Sequence, residues 1–258
     1  MSYLELYYPE SRFGGFTDVD GTIAFYARVH TLLTSEAVVL DVGCGRGAYA
    51  EDAVALRRDL RIFRQKCGRV IGLDVDAAAA VNPFVDEFHQ LVGGRWPVAD
   101  ASVDVCVSDC VLEHVAAPEE FFAECWRVLK PGGYLCLRTT NALGYVAWLS
   151  RLIPRNYHVP LVTRMPDNKK AEDIFPAFYR CNTRRSIKRI FARHGFEGCV
   201  YTHESEPYYL SFNRFSYLLG VLHQRFAPAG IKLAIFAFGR KQEQQGTGEE
   251  QVCSHGSN

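Results

Sequence analysis

Val38-Val39-Leu40-Asp41-Val42-Gly43-Cys44-Gly45-Arg46-Gly47-Ala48-Tyr49-Ala50-Glu51 is the stretch on which the reading of the fold turns. An apolar, β-branched run leads to Asp41, glycines follow at 43, 45 and 47, and helix-compatible residues resume near Tyr49. That order predicts a strand, a tight turn and a helix. Glycine in the turn lets the backbone take positive φ, and it lets a ligand lie against main-chain N–H groups with no Cβ in the way. The stretch therefore reads as a cofactor cradle.

Two ligand classes use such a cradle. Gly43, Gly45 and Ala48 satisfy the dinucleotide fingerprint G-x-G-x-x-G/A, which is the pattern of a nicotinamide-dependent oxidoreductase. The string Asp-Val-Gly-Cys-Gly-Arg-Gly, with an acid two residues before the first glycine, instead resembles motif I of the class I S-adenosylmethionine (SAM)-dependent methyltransferases. A carboxylate at Asp41 suits the sulfonium and amino groups of SAM, whereas it would repel a pyrophosphate. The resemblance assigns Asp41, Gly43, Cys44, Gly45 and Gly47 to SAM.

Further along, Val70-Ile71-Gly72-Leu73-Asp74-Val75-Asp76 reads as a second parallel strand ending in acids. An acid there can accept hydrogen bonds from both ribose hydroxyls. The resemblance places Asp74 in that role and Val75 against the adenine, while Asp76 is positioned to cap the alanine-rich segment 77–81. Residues 96–115, from Trp96-Pro97-Val98 through Asp104 to Val111-Leu112-Glu113-His114-Val115, resemble the family's "LPF…SFDVV…VLEHV" block, with Asp104 opening the fourth strand. Ser108 and Asp109 at the end of that strand are included among the cofactor residues. Glu124 through Leu135 resembles "E…RVLKPGG": Lys130 favours a helix C-terminus, Pro131 stops the helix, and Gly132 and Gly133 turn the chain.

Four ordered motifs spanning Ala37 to Thr140 imply an α/β fold, a doubly wound, mostly parallel seven-stranded sheet of the class I methyltransferase, Rossmann-like type. Two departures stand out. The interval from Gly47 to Asp74 exceeds the roughly 20 residues of a dinucleotide fingerprint, which predicts an extended crossover helix from Tyr49 to Lys66, with a break near Asp52. Relatives also place an acid shortly before "LPF" for the adenine amino group, and Val92-Gly93-Gly94-Arg95 stands there instead.

Outside that region, residues 1–35 read as an N-terminal flap and helix. The flap is rich in aromatics and brings Arg12 toward the SAM carboxylate. Asp18-Val19-Asp20-Gly21-Thr22 reproduces the D-x-D-G-T nucleophile motif of haloacid dehalogenase-like phosphatases, but no apolar strand precedes it. Asp18 or Asp20 is better read as the N-cap of a helix running to about Leu33. The methyltransferase domain takes 36–240. Within it, about 141–182 mixes aromatics, prolines and polar groups and reads as an acceptor-binding lid inserted after strand 5; peripheral membrane contact by the segment around Trp148 is the competing reading. Thr183 to His194 is a capped basic amphipathic helix closed by Gly195. Two closing strands and a helix follow. Residues 241–258, rich in Gln, Glu, Gly and Ser, read as a disordered tail.

Composition bounds the function. Lys+Arg and Asp+Glu both total 29, so no basic field nominates nucleic acid, and 48% hydrophobic against 22% charged residues suits a globular chain. Nine cysteines without a C-x-x-C pair point to a reducing, cytoplasmic setting, with no signal peptide, no transmembrane span and no metal site expected. The expected activity is SAM-dependent O-methylation of a small molecule or glycan. Glu113, His114, His158 and Tyr179 are the candidate bases for removing an acceptor proton. A SAM-binding regulatory or scaffold module without turnover is the rival of a different class.

Overall fold

The computed structural model describes residues 2–152 and 176–242. Seven strands form one sheet: β1 (Val38–Val42), β2 (Arg69–Asp74), β3 (Glu87–Gln90), β4 (Val103–Asp109), β5 (Leu129–Thr140), β6 (Phe196–His203) and β7 (Ala234–Lys241), in the spatial order β3-β2-β1-β4-β5-β7-β6. β7 is antiparallel to both its neighbours, whereas the pairings among β1 to β5 are parallel. This is the expected doubly wound, mostly parallel sheet. The strand order reverses between β1 and β4, and in open α/β sheets ligands bind outside the carboxyl ends of the strands at that point.

Each face of the sheet is covered for a reason visible in the strand alternation. Leu40 and Val42 of β1, Cys106 of β4, and Leu135 and Leu137 of β5 point to one side, where α4 (Pro118–Val128) and α6 (Arg184–His194) bury Phe122, Cys125, Val128, Ile187 and Phe191 against them. Val39, Val105, Val107 and Cys136 point to the other, under Phe25, Tyr26 and Val29 of α2 (Gly21–His30). A separate small cluster joins the two ends of the chain, with Tyr8, beside α1 (Tyr3–Tyr7), packed on Tyr217 and Val221 of α7 (Arg214–Phe226). Since α7 connects β6 to β7, this cluster lies toward the carboxyl edge.

Several local expectations are met atom by atom. Asp20 caps α2, its carboxylate accepting the Thr22 and Ile23 N–H groups at 2.8 and 2.9 Å, so the D-x-D-G-T string serves as a helix start. Thr183 and Ser186 form a reciprocal capping box on α6, and Gly195 ends it with φ 75°. Asp76 accepts the Ala78 N–H at the head of the 77–81 turn.

Two expectations are corrected. The first crossover is broken near Asp52 as expected but is shorter than expected: a 3-10 turn (Ala48–Glu51) is followed by a seven-residue helix, α3 (Ala55–Arg61). Asp52 breaks it: its carboxylate accepts the Val54 N–H at 3.0 Å and two Arg57 hydrogen bonds at 2.5 and 2.7 Å, a local geometry that competes with helix. Lys130, expected at a helix C-terminus, lies in β5, and its ammonium donates to both oxygens of Asp104 at 2.9 and 2.7 Å. The Pro-Gly-Gly turn is a bulge inside the strand, because Val103 faces Leu129 while Val105 already faces Tyr134.

Candidate functional site

The glycine turn leaves β1 at the switch point. Gly43, Gly45 and Gly47 all have positive φ, at 78°, 54° and 77°. Their reasons differ. A Cβ on Gly43 would stand 2.3 Å from Val111 Cγ2, and one on Gly47 would meet Asn82 Oδ1 at 2.9 Å, so these two are small because the protein is close by. A Cβ on Gly45 would meet nothing within 4 Å, so that glycine borders open space. The φ of Gly45 favours glycine by itself, and no protein atom stands over it, so the turn is open on that side.

Asp74 and Asn82 hold the turn. The Asp74 carboxylate accepts the Gly45 N–H at 2.9 Å on one oxygen and the Asp76 N–H at 2.9 Å on the other. The buried Asn82 amide donates to the carbonyls of Cys44 and Gly45 at 2.9 and 3.1 Å and accepts the Phe84 N–H. Asn82 was missed by sequence reasoning; a lone Asn after an alanine-rich run carries no pattern that announces a partner 38 residues away. Arg46 is tied to Asp76 at 2.7 Å, and Val75 is 53% exposed at the mouth, open to a planar ring.

Charge is concentrated here. Asp41 makes no hydrogen bond or ion pair among the described residues, and burial, with the negative charges of Asp109 and Asp74, pushes its carboxyl up to about 7. Asp109 is the opposite case. Arg138 of β5 grips it with two hydrogen bonds of 2.5 Å, and the Tyr26 hydroxyl donates to it at 3.0 Å. Burial alone would raise the Asp109 carboxyl, but Arg138 outweighs burial and holds it at about 2. Asp109, expected to face the cofactor, is thus turned to Arg138 and α2. Ser108 is buried on the other face, its hydroxyl without a partner among the described residues, and Arg12 is exposed at the end of the 3-10 turn Pro9–Arg12.

Of the candidate bases, the structure brings three together. Glu113 is 5% exposed and its two oxygens accept the hydroxyls of Thr139 (2.7 Å) and Thr140 (3.1 Å). Its carbonyl accepts the N–H groups of Phe178 and Tyr179, and His114 Nδ1 lies 2.9 Å from the Pro176 carbonyl. Tyr179 has φ 52°, a strained conformation for a non-glycine residue. Thr139 also receives the Asn182 amide at 2.6 Å, and the Ala142 N–H donates to the Asn182 carbonyl, so residues 142 and 182, at the two ends of the inserted segment, meet at the end of β5. His158 lies outside the described residues, as does most of the expected lid and the tail.

Comparison with known proteins follows the same geometry. Residues 40–137 match the family described as "Methyltransferase domain". That span runs from the glycine turn to the β5 strand that carries Arg138. That stretch is similar to methyltransferase domains, and the seven-stranded sheet around it has the class I methyltransferase fold.

A Mycolicibacterium smegmatis protein named "probable S-adenosylmethionine-dependent methyltransferase" is 38% identical over 112 residues, 42% of this chain and 39% of that protein. An uncharacterized methyltransferase of Mycolicibacterium vanbaalenii is 27% identical over 218 residues, 80% of this chain and 77% of that protein. For most of the first curated relatives the match spans only about two-fifths of their length, as with the 38% of a Mycobacterium leprae methyltransferase. Among solved structures, a SAM-dependent methyltransferase of Methanosarcina mazei superposes with TM-score 0.51 at 20% identity over 83% of this chain and 97% of that one. A geranyl diphosphate C-methyltransferase of Streptomyces coelicolor, solved with S-adenosyl-L-homocysteine, superposes with TM-score 0.51 at 15% identity over 85% and 77%. At these identities the likeness is one of fold. Among the described residues, no helix is long and apolar enough to cross a membrane, and no group of three or more His, Cys, Asp and Glu could hold a metal ion.

Proposed function

We propose that the chain binds S-adenosylmethionine in the Gly43–Gly47 turn and transfers its methyl group to an oxygen of a small molecule or glycan. The observation that carries this reading is the Asp41 carboxylate, without a partner among the described residues, beside a turn with open space at Gly45. An anion so placed is complementary to a cationic ligand and unfavourable to a diphosphate. The residues present therefore fit SAM better than a nicotinamide dinucleotide.

When bound, SAM supplies an electrophilic methyl on a cationic sulfur. The chain's contribution is placement. Gly43, Gly45 and Gly47 offer main chain to the cofactor, Asp74 has lone pairs left for ribose hydroxyls, Val75 offers an apolar face to adenine, and Arg12 of the flap offers a cation to a carboxylate. Holding two reactants in line contributes about 7 to 11 kcal/mol to such reactions. Glu113 is engaged by two threonine hydroxyls and serves as a brace for the segment that carries Tyr179; His114 and Tyr179 are left as candidate bases. A cytoplasmic setting is consistent with cysteines that are all free among the described residues.

Incubation of the full chain with methyl-labelled SAM and small-molecule, glycan and protein fractions of a cell extract tests the proposal. Label in an alkali-stable methyl ether of a small molecule or glycan supports it. Label in protein or on nitrogen would refute the acceptor class. Saturable SAM binding with no label in any fraction would instead favour a module without turnover.

A further inference from the structure

Asp41, Asp74 and Asp109 end three adjacent strands, β1, β2 and β4, at the mouth of the glycine turn. Asp41 pairs in register with Val107, so Asp109, two residues further along β4, projects from the same face, the one covered by α2. Arg138 sits directly opposite Asp109 on β5 and spends its guanidinium on that carboxylate and on the Thr22 hydroxyl at 2.8 Å, while Phe25 and Tyr26 lie against it at 5.6 and 5.8 Å. Asp74 is satisfied by main-chain N–H groups. Two carboxylates with partners of their own thus stand on either side of a third that has no hydrogen-bond or ion-pair partner among the described residues.

We infer that binding of a cationic cofactor at this turn expels a proton from Asp41, and that the Asp109–Arg138–Tyr26 array sets the pH at which it does so. Without a cation, an unpaired carboxylate between two anions is best relieved by a proton; a sulfonium nucleoside replaces that proton's charge. The groups that face Asp41 are Asp109 of β4, Asp74 of β2, Cys44 and Tyr49 of the turn, Arg61 of α3 and, through Asp109, Tyr26 and Arg138. Arg61 is the one cation among them that opposes protonation of Asp41, and it lies over the Tyr26 ring at 6.0 Å with its Nε unpartnered. With the Asp41 carboxyl at about 7, affinity for the cation rises with pH up to neutrality and levels off above it. The demethylated product lacks the sulfonium charge, so it displaces less of the proton. Substrate is favoured over product increasingly as pH rises through this window.

The inference rests on the proposed cofactor, and the test separates the two. The full chain is titrated calorimetrically with SAM and with S-adenosylhomocysteine at pH 7 in buffers of different ionisation enthalpy, and again from pH 5.5 to 8. The expected result is release of about half a proton per SAM at pH 7, with affinity changing up to about tenfold per pH unit below it, and smaller values for the product. In Asp109→Asn, which keeps one acceptor oxygen, loses the other to an amide N–H and removes the anion, SAM should still bind while proton release moves to lower pH. SAM binding with heats that do not depend on the buffer would overturn the inference and leave the cofactor reading intact. No SAM binding at all would overturn both. The wild-type arm is decisive even if the variant fails to fold.

Discussion

At the scale of single residues, the three glycines of the turn do different jobs, and substitutions should separate them. Gly43→Ala forces a left-handed backbone on a residue that disfavours it, at about 1–2 kcal/mol, and drives its methyl into Val111. Stability and cofactor affinity should both fall. Gly45→Ala carries the conformational cost but meets no protein atom, so urea unfolding should show a loss of only about 1–2 kcal/mol while SAM affinity drops more than tenfold. Equal behaviour of the two variants would argue that no ligand approaches Gly45. Glu113 is read as a brace because two threonine hydroxyls already occupy its oxygens. Glu113→Ala should therefore cost about 1–3 kcal/mol by leaving buried donors unpaired. A Glu113→Gln protein of full stability but no turnover would restore it as a base.

At the scale of elements, the sequence carried the strands, the turn and the caps because each has a short-range physical signature. Alternating β-branched runs marked β1, β2 and β4, Asp20 and Thr183 marked helix starts, and Gly195 marked a helix end. What it did not carry were long-range side-chain partnerships. The tie of Arg57 to Asp20, 37 residues away from it, has no local signature, and Lys130 chose Asp104 over the helix end beside it. Asp109 was identified as a site residue by its place on β4, but its capture by Arg138 could not be read without the register of β4 on β5. Asn82 is the clearest omission. Its amide clamps two carbonyls of the turn, so Asn82→Ala should lower SAM affinity about tenfold at a stability cost of about 1–3 kcal/mol, measured by calorimetry and urea unfolding on the same preparation.

At the scale of the whole molecule, the carboxyl edge of the sheet gathers groups whose charge the fold resists or enforces, and the pH dependence of stability follows. Asp109, held at about 2 against an ordinary 3.8, contributes stability that is fully present above about pH 4 and is lost as pH falls toward 2. Asp41 and Glu204 act in the other direction. Burial raises both to about 7, so the native chain binds more protons than the unfolded chain between about pH 4 and 7, and stability declines as pH rises through that window. Burial lowers the pKa of His30, His203 and His223, which acts the other way over the same range, so the test is a difference: the Tm of the ligand-free chain relative to Asp41→Asn should fall from pH 5 to 7.5, and SAM should restore part of the loss; a difference that rises over that range would contradict the Asp41 assignment. The account depends above all on what the glycine turn was built to hold. Equilibrium titration of the full chain with SAM and, in parallel, with NADH measures that directly. Saturable binding of SAM, weakened more than tenfold by Gly45→Ala, with no binding of NADH, is the predicted result. Saturable NADH binding with SAM ignored would contradict it.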